Sequence, residues 1–201
     1  MNCKGLSVVS LRIAVGLCLT AVVAFGAVAA DFTVGKVDLK SASQLAFGPA
    51  GVLFIGDSLR GTVFAIDTAD TKAPPSPVKI EIMGINEKIA AMLGVGTDQI
   101  LINDVKANPI SRNVYVAVSR GRGPDGTPVI LKIDAAGKMA EFSLDNVKFS
   151  KADITDAPVP KPDALAVRTP EGPRSGNPRV ETVTDLAFVD GNVIVAGVSN
   201  Q

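Results

Sequence analysis

Histidine and tryptophan are both absent from this 201-residue chain. Without histidine there is no Ser-His-Asp machinery, no imidazole general base and no histidine-ligated metal. The two cysteines, Cys3 and Cys18, both fall within the first thirty residues. Once that segment is removed, the chain has no thiolate nucleophile, no cysteine-bound zinc, no thioether-linked haem and no disulfide. Tyr115 is the single tyrosine, which argues against an aromatic platform for nucleic-acid bases. Residues 31–201 carry 18 Lys plus Arg against 20 Asp plus Glu, a net −2, and show no electrostatic footprint for nucleic acid. Carboxylates, Lys, Ser, Thr and Arg are what remains for chemistry.

The first thirty residues differ from the rest. Lys4 and Arg12 precede Ile13 to Ala30, an uncharged segment ending in Ala27-Val28-Ala29-Ala30 before Asp31. A basic start, an apolar run and small residues at the end are the marks of a secretory signal peptide. Eighteen uncharged residues would also just span a bilayer, but the Ala-x-Ala pattern sits where cleavage falls. Leu17 before Cys18 replaces the small residue a lipobox needs. The expectation is a signal peptide over 1–30 and a secreted or periplasmic mature chain over 31–201. Contact with a membrane is expected only through the leader, if it is uncleaved.

The mature sequence repeats itself. Gln44-Leu45-Ala46-Phe47 leads through Gly48-Pro49-Ala50-Gly51 into Val52-Leu53-Phe54-Ile55-Gly56-Asp57. Asp104 to Pro109 followed by Ser111 to Ser119 spells the same pattern, and Asp185 to Gly197 spells it a third time. Each copy has an apolar run, a turn of Pro, Gly, Asn or Asp, and a second run rich in β-branched residues. Such repetition predicts an all-β architecture of similar antiparallel units.

In chain order, the pattern predicts a strand within Phe32 to Leu39, then strands near Gln44–Phe47, Val52–Ile55, Thr62–Asp67 and Val78–Met83. Asn86 is placed to cap a short helix from Glu87 to Leu93, with Gly94 as its stop. Strands follow near Ile100–Ala107, Asn113–Val118, Val129–Ile133 and Lys138–Leu144. Asp156 to Pro178 holds six prolines, a composition expected to form a surface loop without sheet or helix. Asp190-Gly191 then joins two strands of the third copy.

Leu45 to Pro49 with Gly51 to Asp57 resembles the start of a blade in NHL-type and gluconolactonase-type β-propellers, and Tyr115-Val116-Ala117-Val118 resembles the naming strand of YVTN repeats. The resemblance implies an incomplete β-propeller of about two and a half four-stranded antiparallel blades with one short helical insertion. Blade 1 would cover about 43–83, the insertion 84–99, blade 2 about 100–144, the Pro-rich loop 156–178 and a partial blade 3 about 182–201. Positions 44, 104 and 185 are 60 and 81 residues apart, against about 40–50 per blade, and the insertion and the loop account for the excess. Because a ring takes about four to eight blades, the sequence is expected to be a fragment or to be completed by further copies.

In a propeller the first strand of each blade is innermost, so Asp104, Asp185 and Asn103 would gather near the central channel. Their oxygens suit Ca²⁺, and gluconolactonase-type propellers use such a metal. This motivates a Ca²⁺-dependent lactonase-like hydrolase as an alternative function. Recurrence at one blade position favours a structural use instead, each Asp accepting backbone N–H groups, and Asp57 is read the same way. The leading expectation is therefore a non-catalytic binding or scaffold module for a protein or small-molecule ligand. An inactive piece of a longer propeller is the third reading.

Other motifs are set aside. Gly121 to Gly126 fits G-x-G-x-x-G, but Pro128 and a strand follow where a phosphate-binding helix is needed. Ser119-Arg120-Gly121-Arg122 is read as solvated surface.

Overall fold

A computed structural model describes residues 21–23, 32–122, 126–161, 167–169, 172–174 and 176–199. The strands are β1 (Ala21–Val23), β2 (Thr33–Gly35), β3 (Leu45–Phe47), β4 (Val52–Asp57), β5 (Thr62–Asp67), β6 (Ile100–Ala107), β7 (Val114–Arg120) and β8 (Thr127–Ile133). They continue with β9 (Met139–Glu141), β10 (Val147–Asp153), β11 (Val167–Thr169), β12 (Gly172–Arg174), β13 (Asp185–Val189) and β14 (Asn192–Ala196), and the helix is α1 (Ile85–Leu93). All strand pairings are antiparallel. One sheet runs β2-β10-β5-β4-β3, a second β6-β7-β8-β9, and neither closes on itself. β13 and β14 form a hairpin whose outer strand pairs with β1, and β11 pairs with β12. Apart from β1, the expected signal segment 1–30 lies outside the described residues.

Strands β3 to β5 of the five-stranded sheet are buried on both faces, and period-two alternation sorts their side chains. Leu45, Leu53, Ile55, Phe64 and Ile66 face one way and meet Tyr115, Ala117 and Ile130 of the four-stranded sheet. Ala46, Val52, Phe54, Val63 and Ala65 face the other way and meet Leu186, Val193 and Val195 of the β13–β14 hairpin. This explains why β4 reads as an unbroken apolar run rather than an alternating one. Burying each of the Val, Leu, Ile and Phe side chains among them is worth roughly 1.5–3 kcal/mol. The far face of the four-stranded sheet, with Val116, Val118, Val129 and Leu131, is covered by Ile89 and Ala90 of α1. The layers are therefore hairpin, five strands, four strands, helix. Within them β3 lies beside β6 and also beside β13.

Gly56 makes one close approach possible: a Cβ there would sit 2.6 Å from Cγ1 of Val183. Ser58 joins the same two parts of the chain. Its hydroxyl donates to the Val183 carbonyl at 3.2 Å and accepts from Ser43 Oγ at 2.7 Å.

The structure corrects three local expectations. Residues 78–83 form no strand; Ile80 and Ile82 pack against the helix-side core instead. The place beside β5 is taken by β10, with Phe149 opposite Ile66, its ring 6.3 Å from that of Phe64. Asn86 does not cap the helix. α1 starts two residues earlier than expected, after Gly84 in the left-handed region at φ 63°, and it stops at Gly94 as anticipated. The Pro-rich stretch does hold a short sheet, β11–β12, in which Pro173 faces Arg168. Both strands of a two-stranded ladder are edges, where proline is tolerated. The ends of the stretch are tied down as well: Arg179 donates to the carbonyls of Pro158 and Leu59 at 2.8 and 3.3 Å.

Candidate functional site

Of the residues singled out as possible metal ligands, Asn103 and Asp104 serve contacts between sheets, and Asp185 contacts its own strand. A bulge in the β6–β7 ladder between Ile102 and Asp104 leaves Asn103 outside the register, and bulges re-aim side chains. The Asn103 amide donates to the Ala42 carbonyl at 2.8 Å and to Ser119 Oγ at 2.9 Å. Asp104 accepts from the Leu45 N–H at 2.9 Å on one oxygen and from the Val105 N–H at 2.7 Å on the other. Lys106 Nζ lies 3.6 Å from the same carboxylate. Asp185 accepts from the Leu186 N–H at 2.8 Å. Among the described residues no group of three or more His, Cys, Asp or Glu is arranged to hold a metal ion. At Asp104 both carboxylate oxygens are engaged by backbone N–H groups with an ammonium group beside them, whereas Asp185 shows one contact, from the neighbouring Leu186 N–H.

Asp57, at the end of β4, is fully buried and plays a similar part. Its oxygens accept from the N–H groups of Lys40, Ser41 and Arg60 at 2.7, 3.0 and 3.0 Å and from Ser41 Oγ at 2.9 Å. The G-x-G-x-x-G loop joins β7 to β8, with residues 123–125 outside the described set. Its Arg122 donates to the Asp98 carbonyl at 2.5 Å.

A richer constellation forms around Asp70, which follows β5. Asp70 Oδ2 accepts from Ser111 Oγ at 2.9 Å, Tyr115 OH at 3.0 Å and Asn113 Nδ2 at 2.9 Å, and it lies 3.1 Å from Lys132 Nζ. Asn113 Nδ2 also reaches Oδ1, at 3.0 Å. The Asp70 carbonyl accepts from Asn108 Nδ2 at 2.8 Å, so a single residue holds the whole Asn108–Asn113 turn. Tyr115 stands on β7 between the rings of Phe47 and Phe142, at centroid distances of 5.3 and 5.5 Å, with Lys132 Nζ 5.8 Å from its centroid.

The electrostatics of this group are settled. Burial pushes the Asp70 carboxyl upward, but hydrogen bonds from Asn113, Ser111, Lys132 and Tyr115 outweigh it and hold the group below its ordinary 3.8. Burial first, and the Asp70 charge second, push the Tyr115 phenol above its ordinary 10.0. Asp70 therefore stays anionic and Tyr115 neutral, and neither exchanges protons near neutral pH. Ser111 has donated to an anion with no proton affinity to spare, so no base activates it. The network holds these groups in place.

What it positions is a cleft. The strap 73–78 leaves Asp70 on one side and the turn tied to Asp70 stands on the other. Between them lies a space of about 640 Å³, lined by Ala73, Pro74, Pro77, Val78, Ile110 and Arg112 among others. Sequence reasoning missed both the network and the cleft. The one available signal was local: Tyr115, the lone tyrosine, sits four residues after Ser111 and two after Asn113.

Fold and site together define a mostly-β protein of stacked antiparallel sheets with one short helix and a cleft at a hairpin turn. The chain matches no protein-family model, no curated protein and no solved structure.

Proposed function

We propose that the chain is an exported, non-catalytic binding module built from β-propeller-type sheet units. The observation that carries this reading is the adjacency of β13, β3 and β6, the first strands of the three sequence repeats, at the edges of face-to-face sheets. The side-chain clips from Asn103, Asp104 and Ser58 join each outer unit to the central one, as expected of blade-to-blade contacts. A cleft beside a proton-inert network suits binding rather than turnover. Lactone hydrolysis through Ca²⁺ finds no support in the geometry at Asp104 and Asp185.

An experimental structure of the full chain tests the architecture: β13, β3 and β6 should remain neighbours, and one continuous flat sheet would overturn it. Export is tested by fusing residues 1–30 to a reporter that is active only outside the cytoplasm. Activity is the expected result, and a cytoplasmic, inactive reporter would overturn the compartment.

A further inference from the structure

The cleft has one cation, and that cation is held in an unfavourable backbone state. Arg112 has φ 63°, a region where glycine or asparagine is at home and other residues cost on the order of 1–2 kcal/mol. The conformation is enforced locally. The Arg112 N–H donates to the Asn108 carbonyl at 2.9 Å, and the buried Asn108 side chain accepts from the N–H groups of Ile110 and Ser111 at 2.8 and 3.3 Å. A turn that would be more stable with glycine carries an arginine, and strain of this kind points from backbone to function.

The Arg112 guanidinium has no ion pair or hydrogen bond among the described residues. Lys132 is paired with Asp70, so that pair adds no net charge beside the turn. Around Arg112 the open lining mixes proline and aliphatic carbon (Pro74, Pro75, Pro77, Val78 and Ile110) with Ser76 and backbone polar groups. Three prolines in six residues make one wall stiff, so little ordering is needed when a ligand enters. The volume of about 640 Å³ falls inside the roughly 300–1,000 Å³ of small-molecule sites.

We propose that this cleft binds a small organic anion, a carboxylate on an apolar body, with the carboxylate on Arg112 and the body against the proline strap. A guanidinium takes a carboxylate bidentately, which fixes orientation as well as charge. The inference rests on the binding-module reading and names its ligand class.

Titration calorimetry of the full chain with hexanoate and with hexanamide tests it. Hexanoate should bind, and the neutral amide should bind about tenfold more weakly. Arg112→Gly should lose about as much hexanoate affinity while melting at the same or a higher temperature, because glycine relieves the strained turn. Arg112→Asn, which tolerates the same backbone region, should behave likewise. Equal binding of the two probes, unchanged in Arg112→Gly, would overturn the anion assignment and leave a module with a neutral apolar ligand. Failure of both probes to bind would overturn the cleft as the module's ligand site.

Discussion

Asp70 joins residues that the sequence holds far apart, and substitutions there should show it. Truncation to Ala leaves the buried or half-buried donors of Ser111, Asn113, Tyr115 and Lys132 without their acceptor. We expect a loss of about 3–5 kcal/mol by denaturant unfolding, whereas Tyr115→Phe, which removes one hydroxyl, should cost about 1 kcal/mol. The pH dependence follows from the two shifts. With its folded pKa lowered, Asp70 adds stability above its unfolded value near 3.8, and that stability is lost as pH falls through the folded value. With its folded pKa raised, Tyr115 adds stability below pH 10.0 that declines as pH rises above it. Melting curves across pH should therefore lose part of their acid limb in Asp70→Asn and part of their alkaline limb in Tyr115→Phe; unchanged limbs would refute the assignment. The part played by Asp70 was not legible in the sequence, which clustered only Ser111, Asn113 and Tyr115. Asp70 and Tyr115 are 45 residues apart, and no local pattern announces such a pairing. What could be read was the structural use of Asp104, because the same residue type recurs at the start of successive repeats.

At the scale of elements, the legible parts are those whose determinants are neighbours in sequence. The turns at Gly48–Gly51 and Asp190–Gly191 and the stop at Gly94 are set by residues beside them, and the strands they join appear where expected. β10 escaped notice because its partners, β5 and β2, lie some eighty or more residues away. Of its own residues only Val147 and Phe149 are packed apolar groups, too few for a periodicity. Val78–Met83 alternates more cleanly yet pairs with nothing, its isoleucines serving the helix-side core. Alternation records which side chains are buried, not whether a ladder forms. The packing at Gly56 offers a sharp test. Gly56→Ala places a methyl group against Val183 and should cost about 1–3 kcal/mol by overpacking. Val183→Ala in the same chain should recover much of that loss, and a double-mutant cycle showing additive costs would refute the contact.

For the whole molecule, the layered order puts both larger sheets in the interior, with β4 and β5 fully buried between the hairpin and the four-stranded sheet, while β13 and β14 form an outer layer. Amides of β4 and β5 should exchange with solvent most slowly, and those of β13 and β14 faster. Mass-resolved hydrogen exchange checks this, and the reverse order would argue against the stacking. Calcium offers a second check. With Asp104 and Asp185 engaged by backbone amides, millimolar Ca²⁺ should leave the melting temperature unmoved. A rise of several degrees, abolished by Asp104→Asn, would establish the metal reading.

The placement of β10 also governs when the molecule can be assembled. The first sheet takes one of its middle strands from residues 147–153, so β5 has no neighbour on that side until the second sheet has been synthesised. A growing chain thus keeps its early half unfinished through most of translation, which is the condition a polypeptide needs if it is to be threaded through a membrane before it folds.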